Sequence, residues 1–177
     1  MFFLNAAFTL GVSGGINFPN QYEIYDKVRG YWNTPTTVEK NIKPVSGVIG
    51  LDIGSHESWG KFGLFTLASV GYTLGLIVQK EEIKETWFFQ ASLKPEFQIV
   101  KMFSLYCVVA LKATRLNIGI SDPPMSIISM PLGLGICIKP ISKLFLTLEG
   151  TYNKRFSTSV LKIGAPVSVK LGVAYAF

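Results

Sequence analysis

Histidine is nearly absent from this 177-residue chain, in which His56 is the only one. Cysteine is scarce too, with Cys107 and Cys137 the full supply. One imidazole and two distant thiols do not make up a metal-ligand cluster, so neither a metal nor any other cofactor is expected. Charge is thin: Asp, Glu, Lys and Arg make up 16% of the residues, against roughly 25% in an average soluble domain. With a mean hydropathy of +0.36, water is a poor candidate for the chain's main solvent. Basic residues outnumber acidic ones by 17 to 11, but they are scattered, which argues against a nucleic-acid face and allows only weak attraction to anionic lipid. Linkers, low-complexity runs and solenoid repeats are missing, so residues 1–177 read as a single domain. A helix-opening phosphate loop is missing as well, since "GVSGG" and "GLGIC" lie inside strand-like segments.

What the chain does have is alternation. It ends "VSVKLGVAYAF", with Val167, Val169, Leu171, Val173, Tyr175 and Phe177 on one parity and Ser168, Lys170, Gly172, Ala174 and Ala176 on the other. Period-2 alternation marks a strand with two unlike faces. A second face made of Gly and Ala suits an enclosed space better than bulk water. The longest uncharged run, Phe62 to Gln79, just reaches the length of a membrane-spanning helix. Gly63, Gly71, Gly75, Thr66, Thr73 and Ser69 weaken a helix there, and Leu64, Val70, Tyr72, Leu74 and Leu76 again keep one parity.

Read as strands, the chain yields eight segments: 8–18, 45–54, 62–76, 87–97, 105–113, 128–138, 144–152 and 161–177. Most match the nine to eleven residues of a tilted membrane-spanning strand. The outward stripes run through Phe8, Leu10, Val12, Ile16 and Phe18, then Val45, Ile49, Leu51 and Ile53, and recur in every later segment. Asp52, Lys94, Glu96, Lys112, Glu149, Lys162 and Lys170 all fall on the opposite parity. A soluble ligand-binding barrel would place its apolar face inside. The fold class expected is therefore all-β: a closed antiparallel up-and-down eight-stranded transmembrane β-barrel with a polar lumen. Isolated charges in so narrow a space are costly, so Asp52, Glu96 and Glu149 are expected to pair with lysines, Lys94 with Glu96 and Glu149 with Lys170 above all. The joints "SHESWGK", "QIVKMFS" and "KPISK" are short and alternate with long ones, of which 17–44 is the longest. Trp59, Phe62, Phe103, Phe145, Tyr175 and Phe177 are expected in one aromatic girdle, and Phe18, Trp87, Phe89, Tyr152 and Phe156 in the other.

Eight alternating segments, alternately short and long connections, and a terminal aromatic resemble the small outer-membrane barrels of Gram-negative-type bacteria, the OmpX, OmpW and OmpA transmembrane-domain group. The resemblance implies a monomer in outer-membrane lipid, with short turns and both termini in the periplasm. It also assigns Leu171, Val173, Tyr175 and Phe177 to the signal read by the barrel-assembly machinery. Phe177 is then expected to serve assembly and the membrane interface rather than packing. Met1 to Leu4 is too short for a signal-peptide core, so a mature form is expected.

His56 stands beside Glu57 and Ser58, residue types that lipid A deacylases of outer-membrane barrels use. Three neighbours in a short joint cannot converge as nucleophile and base must, so a solvated turn and no enzyme are expected. In this register Cys107 falls on the lipid-facing stripe of its segment and Cys137 on the lumen-facing stripe of its own, so bridge geometry fails. Function then falls to one of two classes. In the first, long loops bind an extracellular or host protein, and the segment 17–44 offers Tyr25, Arg29, Tyr31 and Trp32, the residue types that supply binding hot spots. Alternatively, a narrow channel resembling OmpW conducts small hydrophobic molecules or ions past Phe65, Leu67, Phe88, Tyr106 and Val108.

Overall fold

Alternation leaves every strand with one face for hydrocarbon and one for a cramped interior, and closing the sheet satisfies both faces at once. The computed structural model describes residues 5–18, 22–25, 37–40, 46–74, 83–118, 125–156, 161–163 and 167–177. Its strands in chain order are β1 (Asn5–Phe18), β2 (Tyr22–Tyr25), β3 (Thr37–Lys40), β4 (Ser46–Trp59), β5 (Phe62–Leu74), β6 (Ile83–Val100), β7 (Phe103–Ile118), β8 (Met125–Ile141), β9 (Leu144–Arg155), β10 (Leu161–Ile163) and β11 (Val167–Ala176). Eight of them form a closed barrel in the order β1-β11-β9-β8-β7-β6-β5-β4, all pairs antiparallel. β10, β2 and β3 form a separate three-stranded sheet. The segment weighed as a helix is strand β5 over its described length.

The two faces differ sharply. Leu134 is 69% exposed and Phe89 67%, whereas Val108 and Cys137 on the other parity are 1% and 0% exposed. Outward stripes such as Phe8-Leu10-Val12 on β1 and Ile49-Leu51-Ile53 on β4 lie in the open all around the barrel. Polar side chains including Ser69, Gln90, Glu96, Lys112 and Glu149 are buried inside it. This is a soluble protein turned inside out, and the molecule is a transmembrane β-barrel.

Seven of the eight barrel strands are longer than the nine to eleven residues expected, from 12 in β9 to 18 in β6, while β11 has 10. Pairing runs on through the joints, so the turns shrink to Gly60-Lys61, Lys101-Met102 and Ser142-Lys143. Polar residues at a strand end leave the hydrocarbon but do not lose their partners. Gly60 has a φ of 67°, the left-handed conformation that the primed two-residue hairpin turns require. The segment 161–177 is two strands: Lys162 sits in β10 opposite Glu23 of β2, outside the barrel sheet, and leaves the set of lumen charges.

Prolines also mark the barrel sheet. β6 and β7 pair at Leu93↔Val109 and again at Glu96↔Tyr106 but not at Pro95 between them. β7 and β8 likewise skip Pro131 between Lys112↔Ser129 and Val109↔Leu132. Register is unchanged across both gaps, so each proline gap costs two paired positions without shifting a face. The lipid face makes a direct test: Leu134→Arg should destabilise the barrel by roughly 2–4 kcal/mol near the bilayer midplane. Urea titration of the protein refolded into lipid vesicles measures this, and an unchanged midpoint would contradict the outward assignment.

Candidate functional site

Inward side chains meet across a lumen that eight strands leave only as wide as its own contents. Gly135 shows how tight the fit is, because a Cβ there would lie 2.6 Å from Tyr106 Oη. A Cβ on Gly63 would come 2.7 Å from Glu96 Oε2. Small residues on one strand therefore make room for large ones opposite.

The half of the lumen nearest the short turns is organised by Glu96. Its Oε2 lies 2.7 Å from His56 Nε2, and because an ionised carboxylate only accepts, the imidazole N–H is the donor. Lys139 Nζ reaches Oε1 at 2.7 Å, and Ser104 Oγ donates to the same oxygen. His56 stacks on Phe65 with centroids 4.2 Å apart and meets the edge of Phe145 at 5.1 Å. Around them Phe65, Tyr106, Val108, Cys137, Phe145 and Ala176 form a buried apolar cluster. An acid in such a place is stabilised only by several charge-assisted partners, and Glu96 has three.

Further along the barrel the acid is Glu149. Lys94 Nζ bonds its Oε2 at 2.6 Å, and Tyr106 Oη donates to that oxygen at 3.3 Å. Lys170 sits opposite Glu149 in register but bonds Gln90 Oε1, at 3.3 Å. Lys112 and Lys170 both lie over the ring of Phe88, at 4.3 and 5.6 Å from its centroid, a cation–π arrangement. Toward the long connections a polar chain crosses four strands: Asn153 donates to Ser168 at 2.8 Å, Ser168 to Asn17 at 2.6 Å, and Asn17 to Ser46 at 3.4 Å.

Several expectations are corrected by this geometry. Lys94 pairs with Glu149, and Glu96 with Lys139 and His56, so the expected Lys94–Glu96 pair is replaced, while Lys170 meets Glu149 through charge alone and gives its bond to Gln90. Residues two apart on one strand stand side by side on the wall, and a narrow lumen lets each reach across instead. His56 is not in a solvated turn: β4 continues past it, and it is 7% exposed in the lumen. Phe145 is 2% exposed and belongs to the inner cluster, not to a girdle, as its odd position beside outward Leu144 and Leu146 dictates. Lys139 lies one residue beyond the expected strand end at 138, and β8 continues through it to Ile141 with the inward parity kept. Phe177 does pack: its ring lies 5.1 Å from Tyr175 and 6.2 Å from Phe8, and its N–H donates to the Phe8 carbonyl at 2.9 Å.

Asp52 is half-buried and lines two lumen cavities, of about 40 Å³ and about 20 Å³. Each has room for little more than one or two waters. Phe65, Phe88, Tyr106 and Val108, expected as a possible channel lining, are buried and fill the space. Cys107 faces outward and Cys137 inward, and both are free thiols. Leu171, Val173, Tyr175 and Phe177 form one exposed stripe on the outer surface. Of the loop residues, Tyr25 lies in β2 opposite Thr37 of β3, while Arg29, Tyr31 and Trp32 lie outside the described residues.

No family model and no curated relative matches the chain. Solved structures do. Neisserial surface protein A is similar over 98% of this chain and 99% of its own, with a TM-score of 0.60 at 12% identity. Ail, the attachment invasion locus protein of Yersinia pestis, in complex with the heparin analogue sucrose octasulfate, matches 96% of this chain and 99% of its own, with a TM-score of 0.56 at 15% identity. The N-terminal β-barrel domain of Pseudomonas aeruginosa OprF matches 96% and 97%, with a TM-score of 0.56 at 11% identity.

Glu149→Ala leaves Lys94 without its acid in the lumen. Loss of one partner of a buried pair should lower stability by roughly 3–5 kcal/mol and raise conductance in planar bilayers above that of the unaltered barrel. A variant with unaltered stability and conductance would show that the pair neither plugs nor braces the barrel.

Proposed function

We propose that this transmembrane barrel, which has the fold of the small outer-membrane barrels, is a non-enzymatic surface protein that anchors long connections for binding an extracellular partner. In this reading the short turns and the termini face the periplasm, and the 17–44 connection faces outward. The carrying observation is the three-stranded sheet. β2 and β3 come from the connection between β1 and β4, and β10 from that between β9 and β11. Two connections at the same end of the barrel thus combine strands into one sheet, more than a hairpin needs for closure, and long connections are where binding usually resides.

The filled lumen supports the same reading. A conduit for small hydrophobic molecules or ions needs a continuous void, and the cavities described here hold water at most. The buried polar cluster does not favour catalysis either. Glu96 stands between Ser104 and His56 and bonds both, whereas an activated serine needs the imidazole against its own hydroxyl. Tyr25, Arg29, Tyr31 and Trp32 are our choice for the contact surface, on residue type. The sucrose octasulfate complex of Ail supports a sulfated glycan as the first probe beside matrix proteins.

Replacing residues 21–40 by a short Gly/Ser turn should leave a barrel that still migrates differently before and after boiling, yet no longer binds heparin or matrix protein in a solid-phase assay. Binding that survives the replacement would move the function elsewhere. For the assembly stripe, deletion of Phe177 should reduce insertion in cells more than refolding in detergent. Equal losses in the two measurements would assign Phe177 to the packing with Tyr175 and Phe8 alone.

A further inference from the structure

The three described turns between barrel strands are each two residues long, and each contains a lysine: Lys61 in Gly60-Lys61, Lys101 in Lys101-Met102 and Lys143 in Ser142-Lys143. All three side chains are exposed. Their backbones are held by the neighbouring strands. Gln98 N–H donates to the Lys61 carbonyl at 2.7 Å, Gln98 Nε2 to the Lys101 carbonyl at 3.0 Å, and Ala176 N–H to the Lys143 carbonyl at 2.8 Å. The ammonium groups therefore project from fixed points on one rim rather than from loose loops.

Successive turns are two strands apart, roughly 10 Å at the usual interstrand spacing. That is well inside the Debye length of about 30 Å at 10 mM salt, so at low ionic strength their fields add. Glu57 is the one acidic side chain described near this rim that points outward. Glu96, the other acid at this end, is buried and bonded to Lys139 and His56. Directly beside the lysines the surface is apolar and exposed, with Phe62, Val100, Met102 and Ile141 between 54% and 59% accessible. An apolar belt that ends in a row of cations has the layout of a bilayer edge, acyl chains against the belt and headgroups level with the lysines.

We propose that Lys61, Lys101 and Lys143 form a basic collar that binds the headgroups of anionic phospholipids in the leaflet at the short-turn end of the barrel. The collar rests on the membrane-spanning reading, whereas which leaflet it meets rests on the proposed orientation. Each lysine draws the anionic headgroup by electrostatics, and a lysine stem that covers neighbouring apolar surface adds to the attraction. Phosphatidylglycerol is the simplest such lipid, since its net charge is carried by one phosphate.

The test uses the full chain reconstituted in phosphatidylcholine vesicles with traces of spin-labelled phosphatidylglycerol or phosphatidylcholine, read by electron paramagnetic resonance. The unaltered barrel should immobilise labelled phosphatidylglycerol in preference to labelled phosphatidylcholine. Each lysine removed should weaken that preference by up to about fivefold, and Lys61→Gln/Lys101→Gln/Lys143→Gln should abolish it while keeping the heat-sensitive gel mobility of a folded barrel. Lys154→Gln, at the opposite end of β9, should leave the preference intact. A preference that persists in the triple variant, or disappears equally in Lys154→Gln, overturns the collar. Competition by soluble glycerol phosphate also overturns it, by showing a free-anion site in place of a lipid one. Orientation is separable: Ser142→Cys in a chain carrying Cys107→Ser should react with an impermeant maleimide only in permeabilised cells. Labelling in intact cells would refute the orientation and leave the lipid measurement to stand on its own.

Discussion

Hydrocarbon offers no hydrogen bonds, and the rest of this structure depends on that one constraint. A strand in lipid must find a partner along both edges or bury unsatisfied amides at several kcal/mol each. β1 meets that demand by pairing with β4 on one side and with β11, from the far end of the chain, on the other. Closure leaves no edge, and it converts period-2 alternation into an inside and an outside. Prolines at 95 and 131 are tolerated because each opens a two-position gap on one side only, between β6 and β7 for Pro95 and between β7 and β8 for Pro131, while Pro95 stays opposite Leu64 and Pro131 opposite Asn153 on the other side.

Eight strands make the interior narrow, and narrowness governs what the inward face can hold. Large rings such as Phe88 and Tyr106 fit because glycine faces them. Charges fit because acids and bases from different strands come within bonding distance. Glu96 gathers partners from β4, β7 and β8, and Glu149 gathers them from β6 and β7. These hubs tie together strands distant in sequence, so the lumen acts as a polar core inverted relative to that of a soluble protein. The two rims of the barrel differ. One has turns of minimal length, each with a lysine, and the other has long connections with a sheet of their own.

The alternation of large and small residues was sufficient to read the barrel, because a strand's period is 2 whatever its neighbours are. Parity placed Asp52, Lys94, Glu96, Lys112, Glu149 and Lys170 on one face, and separated Cys107 from Cys137, without reference to any contact. Strand ends were less legible, since pairing persists beyond the apolar stretch and carried His56 and Lys139 into the wall. Partners were not legible at all. Lys94 meets Glu149 and Glu96 meets Lys139 because of how far strands are staggered as the sheet closes, a quantity set by all eight together. Local pattern thus determined which way each side chain points. Only closure of the barrel decided what it touches, because distance across the lumen is a property of the whole ring and not of any strand.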